Sequence, residues 1–469
     1  MGNCPRRAAR RRGLSAQDWE KVKVMGEQSA YPGPRSGEML AELGRYVVAS
    51  PQPFVLDLQR CQGMWLVTVD GQRIFDWAGY YGSKLLGHNH PRLQEPQYLQ
   101  RLALAANNKV ANPDFLTAEC LAYYRLLYQN APKCMRGDSL EVYVVNSGAE
   151  AVENMMKYLW VLHGEKLRAR GEDALVRRFV HFDRAFHGRT VFALNITRMD
   201  HDPSVTQGFQ GIIPGNIQVK FPSVDTSQPA ERNDARTDHA LEAIRECLEQ
   251  YRGEVVGIIV EPLQGAGGQR MAQKRFFQEL SAMAHEHDTY LAFDEVQTAG
   301  GQTGELFMCD QLDLPYPPQA VAVAKKFANG VIFMRETLGD RGTLDSTWGG
   351  CLADMVRFCR EFEIVQQEGL IGQVPRKEAL LVEGLNRLAA KYHDLMFNVR
   401  GSGLYQGFTL RRPGDRARLV GLALGTESML LLGAGAQSVR LRPVLDVTAD
   451  DIRLLLEKCD RCLDRLQAS

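Results

Sequence analysis

The chain has 469 residues, 45% hydrophobic and 24% charged, with 56 basic and 56 acidic side chains. That length exceeds one small domain; it predicts two to four domains, or one large α/β domain with a smaller companion, and it allows a core of substantial size. Zero formal net charge gives no global field toward nucleic acid, membranes or acidic ligands, and no apolar run approaches the ~20 residues that span a bilayer.

The chain opens with "MGNCPRRAARRR", five arginines and no acid. Arg6 stands where a myristoylation signal wants Ser or Thr. An Arg-rich, acid-poor start also suits a mitochondrial import segment, but a disordered basic tail is the reading adopted here. No secretory apolar region follows, and the ten cysteines are scattered without zinc-type spacing, which suits reduced thiols in the cytoplasm.

In chain order, "GMWLVTVDGQRIFDW" alternates around Asp70-Gly71 and predicts a hairpin. The runs "LEVYVVN", "RFVHFD", "VVGIIVE", "YLAFDE", "AVAVAK" and "GVIFM" predict short strands. Helical patterns at 149–163, 237–251 and 275–287 fall between them. Continuous apolar strands alternating with helices predict a mainly parallel sheet covered on both faces. Ligands then sit beyond the carboxyl ends of the strands, where Asn146, Asp183, Glu261, Asp294 and Lys325 fall. From about residue 356 the pattern changes to a long helix, the glycine-punctuated runs "FNVRGSGLYQGFTL" and "SVRLRPVLDV", and a closing amphipathic helix. This reads as a smaller α+β domain. Cys459 and Cys462 lie on the closing helix, where a C-x-x-C pair is incidental. The expected division is 1–75 as arm and small-domain segment, 76–355 as large domain and 356–469 as C-terminal small domain.

Several stretches carry chemistry. In "VVNSGAEAVENMMKYLW" a strand ends at Asn146 and a helix begins near Gly148, with Ser147 and Glu150 in capping-box spacing. An ordinary capped helix explains that pattern; free N–H groups at Gly148 and Ala149 would also suit a phosphate. In "DRAFHGRT", Phe186 could stack on a planar ligand and Arg189 could hold a carboxylate. In "YLAFDEVQTAGGQTG", Asp294 ends an apolar run, and a buried acid needs a cation or strong donor as partner. A protonated pyridine nitrogen is such a partner, and Gln297 could donate to a phenolic oxygen on the same ring. A lysine at the end of the next run, Lys325 or Lys326, could supply an amine for a Schiff base; spacing does not choose between them. A phosphate cradle, a ring stacker, an acid and a lysine together are what pyridoxal phosphate needs.

The ordered set "GHNHP" (87–91), "NSGAEAVE" (146–153), "AFHGR" (185–189), "VEPLQGAGG" (260–268), "FDEVQT" (293–298), "KK" (325–326) and "STWGG" (346–350) resembles the class III aminotransferases. The resemblance runs from about Gly63 to Pro443. It implies the type I pyridoxal-phosphate transferase fold, with a mainly parallel seven-stranded sheet flanked by helices and a smaller α+β domain. It implies that Lys325 is the Schiff-base lysine, Asp294 the acid on the pyridine nitrogen and Gln297 the contact to the ring hydroxyl. Gly148 and Ala149 then bind phosphate and Phe186 stacks on the ring. Thr347 reaches the phosphate of a neighbouring subunit, which implies a homodimer with composite sites.

Within the class, "STWGGCLADMVR", "AFHGR" and "VRLRP" resemble the L-lysine 6-aminotransferase branch, with the 4-aminobutyrate aminotransferase branch a near relative. This implies that Arg189 grips the substrate carboxylate and Arg442 the second carboxylate of 2-oxoglutarate. The expected reaction moves the terminal amino group of L-lysine to 2-oxoglutarate, giving 2-aminoadipate 6-semialdehyde and glutamate. The alternatives are another ω-amino acid such as 4-aminobutyrate, or an aminomutase or racemase using the same lysine. Ala266 departs from the pattern, standing where the family carries a glutamate that pairs with the second arginine. Its replacement implies weaker discrimination between terminal and α-amino groups. Gln319, Asp345 and Cys351 also depart.

Overall fold

The computed structural model describes residues 30–468 apart from 48–49, 138, 174–175, 207 and 210; the basic N-terminal segment lies outside the described residues. The hairpin forms as its turn signal predicts. β1 (Trp65–Val67) runs antiparallel to β2 (Arg73–Asp76), with Gly71 at φ +83 in the turn. Asp70 has a second task, because its carboxylate accepts the N–H groups of Arg35 and Ser36 at 2.8 and 3.0 Å and so caps the helix Pro34–Leu43 from a distance.

The predicted apolar runs become β3 (Glu141–Val145), β4 (Arg178–Phe182) and β6 (Val255–Val260), with a short β5 (Ile217–Val219) between them. A small ribbon, β7 (Leu263–Gln264) and β8 (Arg270–Met271), follows, then β9 (Tyr290–Asp294), β10 (Ala320–Val323) and β11 (Gly330–Met334). Seven of these form one sheet in the order β3-β11-β10-β9-β6-β4-β5. β11 is antiparallel to both neighbours and every other pairing is parallel. The central strands β6, β10 and β11 are apolar and buried throughout because both faces are covered. Along β6, Val256 and Ile259 enter one core with Ala151, Met155 and Leu159 of the helix Gly148–Arg170. Val255, Ile258 and Val260 enter the other core with Ile244 of the helix Ala230–Gln250 and Phe276 and Leu280 of the helix Lys274–Glu286. Each of the Val, Ile, Leu, Met and Phe side chains among them contributes roughly 1.5–3 kcal/mol by leaving water. β5 was not predicted, since three residues at a sheet edge give no apolar run to read.

Beyond β11 come the helices Leu352–Gln367 and Val374–Lys391, β12 (Met396–Ser402), β13 (Tyr405–Leu410) and the helix Asp415–Glu427. β14 (Met429–Leu430), β15 (Leu432–Ala434), β16 (Ser438–Arg440) and the helix Ala449–Ala468 complete the chain. β12, β13, β16 and β15 form an antiparallel sheet in that order. β14 pairs in parallel with β2, so the early hairpin joins the C-terminal segment rather than the large sheet. The run "SVRLRPVLDV" is strand only at its start; the Leu441 N–H still bonds Gln406 O of β13, but the Arg442 N–H turns away to Trp77 O. Cys459 and Cys462 are buried on the closing helix with free thiols. Among the described residues, no helix is long and apolar enough to cross a membrane.

Candidate active site

Parallel strands carry their carboxyl ends to one edge of the sheet. Ala322 of β10 is in register with Asp294 at the end of β9, so a lysine just past β10 and the acid closing β9 emerge side by side. A cavity of about 240 Å³ opens there. Gly148, Ala149, Phe186, Arg189, Asp294, Gln297 and Lys325 all line it, with His187, Glu261 and Ala266. A larger groove of about 350 Å³, walled mostly by Trp160, Val161, Phe192 and Ile213, gathers none of the predicted residues.

The two lysines separate in space. After β10 the backbone swings through φ +48 at Lys325, a conformation uncommon for a residue with a side chain, and Lys325 lines the cavity. Burial first, then the charge of Arg440, lowers its amine below the usual lysine range. Lys326 turns the other way. Its Nζ donates to Gln297 O at 2.6 Å, Tyr405 Oη at 3.0 Å and Gly82 O at 3.3 Å, leaving no donor for the cavity.

The predicted cap forms, with its return bond moved one residue back. Ser147 Oγ accepts the Glu150 N–H at 3.2 Å, and Glu150 Oε2 accepts the Asn146 N–H at 2.8 Å. The first turn at Gly148 and Ala149 still faces the cavity with the positive end of a 23-residue helix. The loop carrying Phe186 packs onto this turn so closely that a Cβ on Gly188 would lie 2.7 Å from Ala149 Cβ. Gly188 also sits at φ +131, so glycine is required twice over. Phe186 is half-buried, with its remaining surface on the cavity.

Asp294 is 4% exposed and doubly anchored. Its Oδ1 accepts the Val296 N–H at 3.0 Å, and its Oδ2 lies 2.7 Å from His187 Nδ1. Glu261, at the end of β6, accepts the Phe186 N–H at 2.9 Å. Burial, and then the charge of Asp294, push the Glu261 carboxyl well above the usual carboxylate range. The pairing of His187 with Asp294 was not foreseen, since a histidine flanked by Phe and Gly carries no periodic signal. Asp183 and Asn146 also stand at strand ends but serve the structure. Asp183 pairs with Arg270 at 3.3 Å and accepts the Phe221 N–H at 2.6 Å, while Asn146 completes the cap with Glu150.

Gln297 is oriented by arginines. Its Oε1 accepts from Arg442 Nη2 at 2.7 Å, Arg442 Nε at 3.2 Å and Arg440 Nη1 at 3.3 Å. With the carbonyl end so occupied, the amide –NH2 end is the one offered to a ligand. Gly265 makes room for this, since a Cβ there would overlap Gln297 Oε1.

Arg442, like Arg440, stands behind the cavity lining, and its guanidinium is engaged internally by Gln297, by Gln269 Oε1 at 2.6 Å and by Leu441 O at 2.8 Å, over the Tyr405 ring at 4.3 Å. Arg440 is also buried, yet its Nε has no partner, and the charge of Glu261 acts on it. Sequence reading passed over Arg440 because two arginines in "VRLRP" differ only in the partners that claim them. Arg189 is exposed at the cavity wall. Ala266 packs with Phe186 against Leu194, Met199 and Val205, and places no carboxylate near Arg440. Thr347 is exposed and stands outside the cavity lining.

A fold whose parallel strands end in a cavity with a lysine, an acid, an amide and a helix N-terminus is that of a pyridoxal-phosphate-type transferase. The chain matches the family "aminotransferase class-III" over residues 46–463, and it belongs to that family. It is therefore an aminotransferase. It is 30% identical over 451 residues to the L-lysine-epsilon aminotransferase of Amycolatopsis lactamdurans, covering 93% of this chain and 96% of that one. The L-lysine-epsilon aminotransferase of Mycobacterium tuberculosis is 32% identical over 423 residues, covering 87% and 92%. The solved structure of lysine aminotransferase from M. tuberculosis superposes with a TM-score of 0.85 at 30% identity, covering 92% of this chain and 99% of that one. The mitochondrial 4-aminobutyrate aminotransferase of Mus musculus is 28% identical over 446 residues, covering 88% and 86%.

Proposed function

We propose that this aminotransferase uses pyridoxal phosphate to move the terminal amino group of L-lysine to 2-oxoglutarate. The observation that carries the reading is the opening of Lys325 and Asp294 onto one small cavity from neighbouring strand ends, with the Gln297 amide between them and the arginines. The donor set fits the cofactor part by part. The N–H groups at Gly148 and Ala149 suit its phosphate, the open face of Phe186 its ring, Asp294 its pyridine N–H, Gln297 its phenolic oxygen and Lys325 its aldehyde.

When bound, pyridoxal phosphate supplies an electron-accepting ring joined to the carbon that bears the reacting amine. The chain supplies the rest. Lys325 Nζ, kept toward its neutral form by burial and Arg440, takes a proton from one carbon and returns it to another. Asp294, held by the Val296 N–H and His187, keeps the ring nitrogen's proton in place. Arg189 holds the substrate carboxylate at the cavity wall, so a long ω-amino acid reaches inward with its far amine. For the second carboxylate of 2-oxoglutarate, the unpartnered Nε of Arg440 supports a role for Arg440 in place of Arg442. Arg442 acts instead by orienting Gln297. We also read the exposed Thr347 as the residue lent to a second copy, which makes the working unit a homodimer.

One observation favours a second reading. With Ala266 in place of a carboxylate, only Glu261 among the acids of the cavity wall acts on Arg440 when the substrate has no second carboxylate, and 4-aminobutyrate or other donors compete less unequally. The test is amino transfer to 2-oxoglutarate from lysine, ornithine and 4-aminobutyrate, each supplied with pyridoxal phosphate. Lysine is expected to give the highest kcat/KM with production of glutamate and a cyclising semialdehyde. A higher value for 4-aminobutyrate transfers the assignment to that donor, and no glutamate from any donor removes it.

A further inference from the structure

Away from the cavity, two short turns bring together three side chains that the transfer reaction does not use. Cys134 lies on the turn Lys133–Met135, and Cys309 and Asp310 lie on the turn Met308–Gln311. Donor atoms of the three side chains all lie within 4.8 Å of one another. The Cys309 thiol is within hydrogen-bonding reach of the Cys134 thiol. Backbone N–H groups fix both turns. Asp310 Oδ1 accepts the Cys134 N–H at 3.4 Å, and buried Glu295 accepts the N–H groups of Met308 and Cys309 at 2.8 and 2.7 Å. Cys309 is buried at the back, while Cys134 and Asp310 are half-exposed at the front, which leaves a path from solvent.

We propose that Cys134 Sγ, Cys309 Sγ and a carboxylate oxygen of Asp310 form a site for a soft divalent cation of the zinc class, with water in the fourth position. Two thiolates with one carboxylate are a donor set that zinc accepts and magnesium or calcium does not. Tetrahedral zinc, with bonds of about 2.3 Å to sulfur and 2.1 Å to oxygen, holds its donors roughly 3.6–3.8 Å apart. The observed cluster therefore needs to tighten by about 1 Å at most. Both thiols release their protons to solvent on binding and no electron moves. Lys133, paired with Glu305 at 2.7 Å, stands beside Asp310. Sequence spacing hides the site, because its two cysteines are far apart in the chain. Its position matters because Glu295, which fixes the second turn, follows Asp294 directly. An ion there would brace the turn behind the catalytic acid.

The test uses the full chain, kept reduced and stripped of metal by a chelator, and titrated first with zinc alone and then with cobalt(II) as an optical probe. The expected result is stoichiometric uptake, a sulfur-to-cobalt charge-transfer band and a raised Tm. Cys134→Ser, a half-exposed position, and Cys309→Ser each weaken zinc binding by at least about tenfold and diminish the band. Asp310→Asn keeps the band with weakened affinity, and Cys351→Ser, exposed elsewhere, changes nothing. Wild-type zinc and cobalt binding in Cys134→Ser would overturn the proposal. So would a Cys134–Cys309 disulfide that forms without reductant and ignores zinc, since the pair would then be a redox couple.

Discussion

The carboxyl end of the seven-stranded sheet sends charged side chains into the cavity, and the segment of β16 places two arginines behind Gln297, but backbone direction fixes only the first. Along the large sheet, a parallel strand that ends in a polar residue must present it at the ligand edge, so Asp294 and Lys325 follow from topology. On β16 and the residue pair beyond it, Arg440 and Arg442 stand two apart and are similarly buried. Their roles are divided by neighbours: Gln269, Leu441 and Tyr405 claim one guanidinium, while the other keeps a free Nε. Strand ends thus place a group, whereas hydrogen-bond partners decide whether it is available.

The largest effect is expected at the sheet end. Lys325→Ala should reduce turnover of lysine with 2-oxoglutarate by about 10³-fold or more, the scale of a lost proton-transfer group. Lys326→Met removes three internal donations instead. It should cost far less in kcat and show mainly as weaker cofactor retention. Equal losses in steady-state assays would erase the distinction between the two lysines.

The arginines should divide along a different axis. Arg440→Leu is expected to raise KM for 2-oxoglutarate roughly 10- to 100-fold, the range of one lost charge-assisted contact, with little change in unfolding midpoint. Arg442→Leu leaves Gln269 and Gln297 short of donors in a buried setting. It should lower stability by roughly 2–4 kcal/mol in urea unfolding. The reverse pattern would restore the carboxylate role to Arg442.

A smaller shift is expected in pH dependence. A lysine amine is free above its pKa, and Arg440 helps to lower that of Lys325 after burial. Removing the Arg440 charge raises it again. The pH midpoint for capture of pyridoxal phosphate by the cofactor-free protein should therefore move upward in Arg440→Leu, and less far in the same direction in Arg442→Leu. A downward shift would show that the amine does not sense these cations. The smallest effect is a change of preference: Ala266→Glu should raise the ratio of lysine to glutamate turnover several-fold by giving Arg440 a partner, and no change would remove the role assigned to this position.

How much of this was legible beforehand depends on what each feature rests on. The central strands of the large sheet were readable because burial on both faces leaves them continuously apolar, and the hairpin was readable from Asp70-Gly71. The three-residue edge strand β5 was not, nor was the retreat of "SVRLRPVLDV" from the sheet after Leu441, since both depend on which partner strand is near. At the site, Lys325, Asp294, Gln297 and the helix start at Gly148 were found as ends of runs. Choosing Lys325 over Lys326 from the residues themselves needed the turn at φ +48. His187 and Arg440 are held by contacts made across the fold, and pairings of that kind leave no local pattern in the chain.

The central claim is that one amine, at position 325, is joined to the cofactor opposite Asp294. Borohydride reduction of the protein loaded with pyridoxal phosphate, followed by peptide mass mapping, tests it directly. The account predicts a pyridoxyl group on Lys325 and an unmodified Lys326. The label on Lys326, or no stable label on either, would contradict it.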